Sequence, residues 1–238
     1  MDTITLGDST LNLPVAKQRT TVIIEPTSAA GGTYDSAEIT TSITINNDQP
    51  RKIEFIVPYS TEQFSASLAV ISAGPLVYKK RLARIERIGG DLERVKPYLR
   101  KMGYADDAFD TPAELKAIAG KFRAGTLELP AGTIVVKIQV TAVIEPVLKD
   151  GVNLFAFKAY SPLPAFGIAG GRVPLTLTVL FKGDETIKPV ITKSEVTNPF
   201  GDGLNPVGSP ILGQVLCEDL AYCWKWQTDP VVDFEYHY

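Results

Sequence analysis

The sequence predicts an all-β protein with a short helical insertion, and three patterns carry this prediction. Two long stretches alternate apolar and polar residues with a period of two, one from Ile134 to Glu145 and one from Val173 to Lys182. Successive side chains of a strand point to opposite faces, so each stretch has one dry face and one mostly wet face, as in an antiparallel sheet packed on one side. The 19 glycines and 17 prolines suit many turns. A helical period is confined to residues 91–122.

The first part of the chain contains short runs with the period of a strand. These runs cover residues 19–25, 37–46, 51–57, 66–72 and 75–88. The link Asn46–Pro50 between the second and third runs is rich in turn residues. We therefore expect these two strands to form a hairpin.

The helical insertion near residues 91–123 contains two signals of a helix start. Pro97 interrupts the first apolar run, which fits a helix that restarts there with proline in its first turn. Thr111, Pro112 and Glu114 match a threonine N-cap, a proline at N1 and a glutamate at N3. The buried stripe of this second helix is predicted to contain Leu115, Ile118, Ala119 and Phe122. We expect the insertion to cover one end of the β structure.

Further strands are predicted at residues 125–129, 133–145, 152–159, 173–182, 213–217, 222–227 and 231–237. The whole pattern predicts one domain, residues 1–238, with the fold of an antiparallel β-sandwich of jelly-roll or immunoglobulin-like type. Strands 134–144 and 173–181 are predicted to be central. The 45% of hydrophobic residues suffice for such a core. Two long Pro/Gly-rich loops, 160–171 and 198–213, interrupt the pattern, and loops of this length commonly carry function.

The scarcity of histidine disfavours several kinds of catalysis. His237 is the only histidine and lies next to last, whereas Ser-His-Asp, Cys-His and His-metal chemistries need a positioned imidazole. Paired carboxylates support hydrolysis without histidine, but no spacing selects a pair among the available acids. Those acids are Glu128, Glu145, Glu218, Asp219 and Asp233. We therefore predict no catalytic residue, no bound cofactor and no metal site.

Two cysteines, Cys217 and Cys223, lie close together in the sequence. With one distant histidine they are too few for a closed zinc site, and their spacing does not match C-x-x-C. A tight hairpin would allow a disulfide between them. The alternative is two small, half-buried residues, and both interpretations remain open.

Charge is distributed unevenly along the chain. From Lys79 to Lys101 nine basic residues face three acidic ones, a net charge of +6, whereas from Asp184 onward nine acidic residues face three basic ones, a net charge of −6. The basic residues proposed for an interface are Lys79, Lys80, Arg81, Arg84, Arg87, Arg94, Arg100 and Lys101. They form a solvated face, a patch for self-association, or a nucleic-acid surface. Nucleic acid is disfavoured because only two tyrosines are interleaved with these charges.

Aromatic residues alternate near the end of the chain. They suit a carbohydrate-stacking platform, an interface hot spot, or core strands. With two residues of the first long loop, they complete the candidate interface: Pro162, Phe166, Trp224, Trp226, Tyr236 and Tyr238.

These observations predict a non-enzymatic structural protein that assembles with copies of itself, as in a virus-like capsid, a filament or a surface layer. The alternatives are a carbohydrate- or protein-binding β-sandwich module and a carboxylate-based hydrolase. The expected partners are copies of the chain, other structural proteins or a glycan. The sequence contains no run of about 18 apolar residues, so no membrane-spanning helix is predicted. The N-terminus lacks a secretory leader, so the compartment stays open, with a virion, another particle or an extracellular surface expected if a leader was removed.

Overall fold

A computed structural model of the protein describes residues 3–5, 14–58, 61–71, 79–81, 85–101, 104–159, 175–182, 189–197, 212–216, 219–226 and 231–238. Strands dominate these residues, which confirms the prediction of an all-β fold with few helices. The first eight strands are β1 (Thr3–Thr5), β2 (Val15–Glu25), β3 (Asp35–Asn47), β4 (Arg51–Pro58), β5 (Thr61–Val70), β6 (Lys79–Arg81), β7 (Glu86–Gly89) and β8 (Phe122–Leu129). The remaining strands are β9 (Gly132–Ile144), β10 (Pro146–Lys149), β11 (Val152–Ala159), β12 (Leu175–Phe181), β13 (Val190–Thr197), β14 (Leu212–Leu216), β15 (Asp219–Trp226) and β16 (Val231–His237). That residues 1–238 form a single domain stays a prediction.

The largest sheet has eight strands in the order β14-β15-β12-β2-β3-β9-β5-β6. Strands β9 and β12 each have a neighbour on both sides, as predicted for central strands. The prediction of purely antiparallel sheets is wrong, because β2 pairs in parallel with β12, and β1 with β7. Side chains alternate in the same way in parallel and antiparallel strands, so the sequence pattern alone did not distinguish them.

Two smaller sheets have four strands each, in the orders β1-β7-β8-β4 and β10-β11-β16-β13. The hairpin predicted around Asn46–Pro50 is wrong. Strand β3 already pairs with β2 on one side and β9 on the other, so it has no open edge for β4, which pairs with β8 in another sheet. The turn therefore carries the chain from one sheet to the next. The strand predicted over residues 75–88 is likewise divided, because β6 belongs to the large sheet and β7 to a small one.

One face of each sheet contributes to a common hydrophobic core. In β9, alternate residues from Ile134 to Ile144 are buried, whereas Lys137, Gln139 and Thr141 between them are half-buried. Both small sheets also supply residues to this core, including Phe55 from β4 and Tyr236 from β16. The alternation seen in the sequence therefore does mark the inner faces of the strands.

A second, smaller core lies between the sheet β1-β7-β8-β4 and the helical segment. This segment contains the helices α1 (Lys96–Lys101) and α2 (Pro112–Ala119), with 3-10 turns at Leu92–Val95 and Asp106–Phe109. Ile56 and Ala124 from the sheet pack there with Leu99 and Leu115 from the helices. The segment thus covers the outer face of this sheet, rather than one end of the β structure as expected.

Helix α2 begins as the sequence predicts. The Thr111 Oγ1 accepts a hydrogen bond from the Glu114 backbone N–H at 3.3 Å, and the Thr111 N–H donates to the Glu114 Oε2 at 3.0 Å. This reciprocal arrangement is the capping box, and its hydrogen bonds lower the pKa of Glu114. The predicted stripe is also present, with Leu115, Ala119 and Phe122 buried and Ile118 packed beside them.

Candidate interaction surfaces

The last strand is anchored by a buried carboxylate at the start of β3. Asp35 is 0% exposed, and its Oδ2 accepts hydrogen bonds from the hydroxyls of Tyr236 at 2.8 Å and Tyr238 at 3.0 Å. Its Oδ1 accepts from the Ser28 backbone N–H at 3.0 Å and the Ser28 hydroxyl at 2.6 Å. Four donors match the acceptor capacity of the two carboxylate oxygens, so this buried group is fully hydrogen-bonded. Burial, and then the Asp35 charge, raise the pKa of both tyrosines.

Aromatic rings fill the core around this anchor. The ring of Tyr236 stacks on Phe155 at 5.3 Å between centroids and meets Phe181 edge-on at 4.9 Å. Tyr236 is fully buried, which removes it from the candidate contact surface and makes it a core residue. Tyr238 remains partly exposed. The alternation at the chain end thus came from core packing at Phe234 and Tyr236, as strand aromatics often do.

The other aromatic and loop residues of the candidate interface are located only in part. Trp224 and Trp226 lie on β15, opposite Leu177 and Leu175 of β12, and their side chains lie outside the described part of the structure. Pro162 and Phe166 lie outside the described residues altogether.

The two cysteines are also located only in part. Cys223 lies on β15 in register with Thr178 of β12, but Cys217 lies outside the described residues. The disulfide between them stays a prediction.

The basic block is divided between two sheets and the helical segment. Strand β6, at the edge of the large sheet, consists of Lys79, Lys80 and Arg81. Their side chains, and that of Lys101 at the end of α1, lie outside the described part of the structure. Arg84 lies outside the described residues, whereas Arg87 is exposed on β7 and Arg94 is half-buried in a 3-10 turn.

Acidic residues of the helical segment neutralise part of this block. The Lys96 Nζ lies 2.7 Å from the Glu93 Oε2, and the Arg100 Nε lies 2.7 Å from the Asp106 Oδ1. Both pairs lie at the surface, with Lys96 half-buried and the other three side chains exposed, and such pairs are weakly stabilising. The net charge of +6 therefore does not form one continuous free surface.

A groove lies where β7 and β8 meet the end of helix α2. Its volume is about 550 Å³, and basic side chains reach it from all three elements: Arg87, Lys116 and Arg123. The Arg123 Nη1 donates to the backbone oxygens of Gly120 at 3.3 Å and Phe122 at 2.8 Å. The remaining lining is mostly apolar or glycine, and the lining includes no carboxylate among the described residues.

The carboxylates considered for hydrolysis are dispersed. Glu128 lies on β8 beside Arg51 and Lys52 in a groove of about 420 Å³, whereas Glu145 follows β9 of the large sheet. The Asp233 Oδ2 lies 4.0 Å from the Lys193 Nζ on the sheet β10-β11-β16-β13. Glu218 and the side chain of Asp219 lie outside the described part of the structure. Glu128 and Asp233 thus belong to different sheets, and Glu145 lies in the link between β9 and β10.

An exposed apolar hairpin, formed by β10 and β11, is a feature that the sequence analysis missed. Lys149 pairs with Val152, so Asp150 and Gly151 form a two-residue turn, with φ of 52° and 81°. Positive φ at both positions is typical of a type I′ turn, and the Asp-Gly dipeptide is a strong signal for it. Around this turn Val147 is 64% exposed and Leu148 is 72% exposed, and Val152 is exposed as well.

Two general features of the described residues bear on function. No group of three or more histidine, cysteine, aspartate or glutamate side chains among them is placed to hold a metal ion. No helix within the described ranges is long and apolar enough to cross a membrane.

Across the described residues the protein is mostly β, with three sheets, a helical segment and an exposed apolar hairpin. No protein-family model matches the chain, and no curated protein matches it. Among solved structures, it is similar to a protein of Legionella pneumophila named a "putative nutrient binding protein". The two share 9% sequence identity with a TM-score of 0.45, over 97% of this chain and 70% of the other. Similarity at this level transfers no function to the chain.

Proposed function

We propose that this chain is a non-enzymatic structural subunit that assembles with copies of itself into a capsid-like particle, a filament or a layer. The observation that carries this proposal is the exposed apolar hairpin β10–β11. Val147 and Val152 lie on one face of the hairpin and Leu148 on the other, and all three side chains are exposed. Exposed apolar groups gathered on one hairpin usually mark an interaction site.

The position of β10 in its sheet supports association through this hairpin. Strand β10 is an edge strand that pairs only with β11, so one side of its backbone lacks a partner strand within the described sheets. Such an edge can pair with another chain. Pro146 has no N–H, and Lys149 carries a charge, and both features oppose indiscriminate edge pairing. A specific neighbour is therefore favoured over open-ended aggregation.

The uneven distribution of charge along the chain supports contacts between unlike parts of neighbouring subunits. From Lys79 to Lys101 the net charge is +6, and from Asp184 onward it is −6. Opposite charges on different parts of one subunit favour head-to-tail association, which continues into rings or filaments.

We further infer that the subunit is a two-layer β-sandwich. The eight-stranded sheet supplies one layer, and the two four-stranded sheets supply the other. Support comes from the common core, to which each of the three sheets contributes buried residues. Packing two sheets over a shared apolar layer is the usual way to bury one face of each.

Sedimentation velocity over a concentration series tests the hairpin as the contact. In Leu148→Lys a charge replaces the most exposed large apolar residue of the hairpin, and we expect association to weaken at least tenfold. The matched control is Ile71→Lys, because Ile71 is 45% exposed and lies outside the hairpin. We expect the control to associate like the unmodified protein. Equal association of the two variants would overturn the proposed contact.

A further inference from the structure

The groove between β7, β8 and α2 has the dimensions and chemistry of a ligand site. Its volume of about 550 Å³ falls within the range of roughly 300–1,000 Å³ that is common for small-molecule pockets. Gly89 and Gly90 line one side, where Gly90 has a φ of 71° that favours glycine. The groove is separate from the β10–β11 hairpin, which belongs to another sheet.

Three cationic side chains converge on the groove without a carboxylate in its described lining. Arg87 comes from β7, Lys116 from α2 and Arg123 from β8. The guanidinium of Arg123 has several interactions, among them two hydrogen bonds to backbone oxygens. Within the described residues, neither Arg87 nor Lys116 forms an ion pair. Cations gathered in a concave site concentrate anions there.

The rest of the lining is apolar, which narrows the class of anion. Phe122 and Ala119 are buried, and Ile88 and Leu92 are half-buried beside them. A strongly hydrated inorganic ion gains nothing from such a surface, whereas an apolar group gains free energy by covering it. The arrangement of an apolar lining with a few polar groups is typical of sites for organic ligands.

We propose that this groove binds a small organic anion that has an apolar body and a carboxylate, sulfonate or phosphate group. The acidic group lies among Arg87, Lys116 and Arg123, and the apolar body contacts Ile88, Leu92 and Phe122. This binding goes beyond the assembly proposed above and does not depend on it.

Isothermal titration calorimetry with 2-naphthalenesulfonate tests this proposal on the full chain. We expect saturable binding, at least tenfold tighter than that of the neutral 2-naphthalenemethanol and of inorganic phosphate. Raising the salt concentration is expected to weaken it. Hydrogen–deuterium exchange should show protection within residues 87–92 and 116–123. Absence of saturable binding, equal affinity for the neutral analogue, or protection at the β10–β11 hairpin alone would overturn the proposal.

Charge-removing variants identify the groups involved. Arg87→Gln and Lys116→Gln are each expected to weaken binding about fivefold, and together at least tenfold. The matched control is Lys17→Gln, since Lys17 is an exposed lysine on β2, and it should stay within twofold of the unmodified protein. Circular dichroism verifies that each variant is folded. If the folded double variant bound as tightly as the control, the assignment would be wrong.

Discussion

A single buried residue, Asp35, ties the end of the chain to the start of β3. It accepts hydrogen bonds from two tyrosine hydroxyls that lie about two hundred residues later in the sequence. Removing one donor leaves a buried carboxylate with an unmet acceptor, which is costly. The anchor therefore makes a specific contribution to stability that ring packing alone does not provide.

We expect Tyr236→Phe to lower the free energy of unfolding by about 1–3 kcal/mol, because it removes one hydrogen bond to Asp35 and keeps the ring. Urea denaturation measures this change. The matched control is Tyr34→Phe, whose ring is 42% exposed, and we expect it to change stability by less than about 0.5 kcal/mol. Equal stability of the two variants would contradict the anchoring role.

The same anchor predicts a loss of stability at alkaline pH. Burial and the Asp35 charge raise the pKa of Tyr236 above its ordinary value near 10. Above pH 10 the unfolded chain releases this proton and the folded chain keeps it, so unfolding becomes more favourable as pH rises. Above pH 10, Tyr236 therefore lowers the free energy of unfolding by about 1.4 kcal/mol per pH unit. Below pH 10 its contribution to the free energy of unfolding is constant.

Urea denaturation between pH 8 and pH 11.5 measures this slope. The variant Tyr236→Phe lacks the group and should lose stability less steeply above pH 10. Identical slopes for the variant and the unmodified protein would show that Tyr236 ionises equally easily in both states.

The sequence could not identify Asp35, and the reason is physical. Periodicity reports which face a residue occupies, and Asp35 lies in phase with the buried residues of β3 such as Ala37 and Ile43. Nothing local indicates that its donors come from Tyr236 and Tyr238. The same limit affected Tyr236, whose alternating pattern suited both a surface platform and a core strand.

At the scale of elements, the sequence correctly predicted features that depend only on residues close together in the chain. The start of α2 follows from Thr111, Pro112 and Glu114 because capping involves only residues within one turn. The Asp150–Gly151 turn is equally local, and its dipeptide signal would have located β10 and β11 as a hairpin.

We expect Thr111→Ala to destabilise the protein by about 1 kcal/mol, because the Glu114 backbone N–H loses its acceptor at the Thr111 hydroxyl. Thermal or urea denaturation measures the loss. Thr111→Ser retains a hydroxyl and should restore most of the stability. If serine were no better than alanine, the cap would not be the cause.

Strand pairing was predicted less well than strand location, since partners are chosen over long separations in sequence. Residues Asn46–Pro50 have the composition of a hairpin turn, yet both edges of β3 are taken by β2 and β9. The parallel pairing of β2 with β12 depends on chain far from either strand. The alternation of apolar and polar residues is the same whichever strand is the neighbour, so it does not indicate which strands pair.

At the scale of the whole molecule, strand β4 lies between two cores, and it therefore has apolar residues on both of its faces. Phe55 faces the main core, and Ile56 faces the core under the helices. A strand buried on both faces loses the clean alternation of a half-exposed strand. The helical segment is thus a layer of the fold, and it also forms one wall of the basic groove.

Electron microscopy of the purified protein tests self-assembly of the subunit most directly. We expect regular particles, filaments or layers that build from a repeated subunit and become fewer in Leu148→Lys. A monodisperse single subunit at high protein concentration, under every salt condition, would contradict self-assembly.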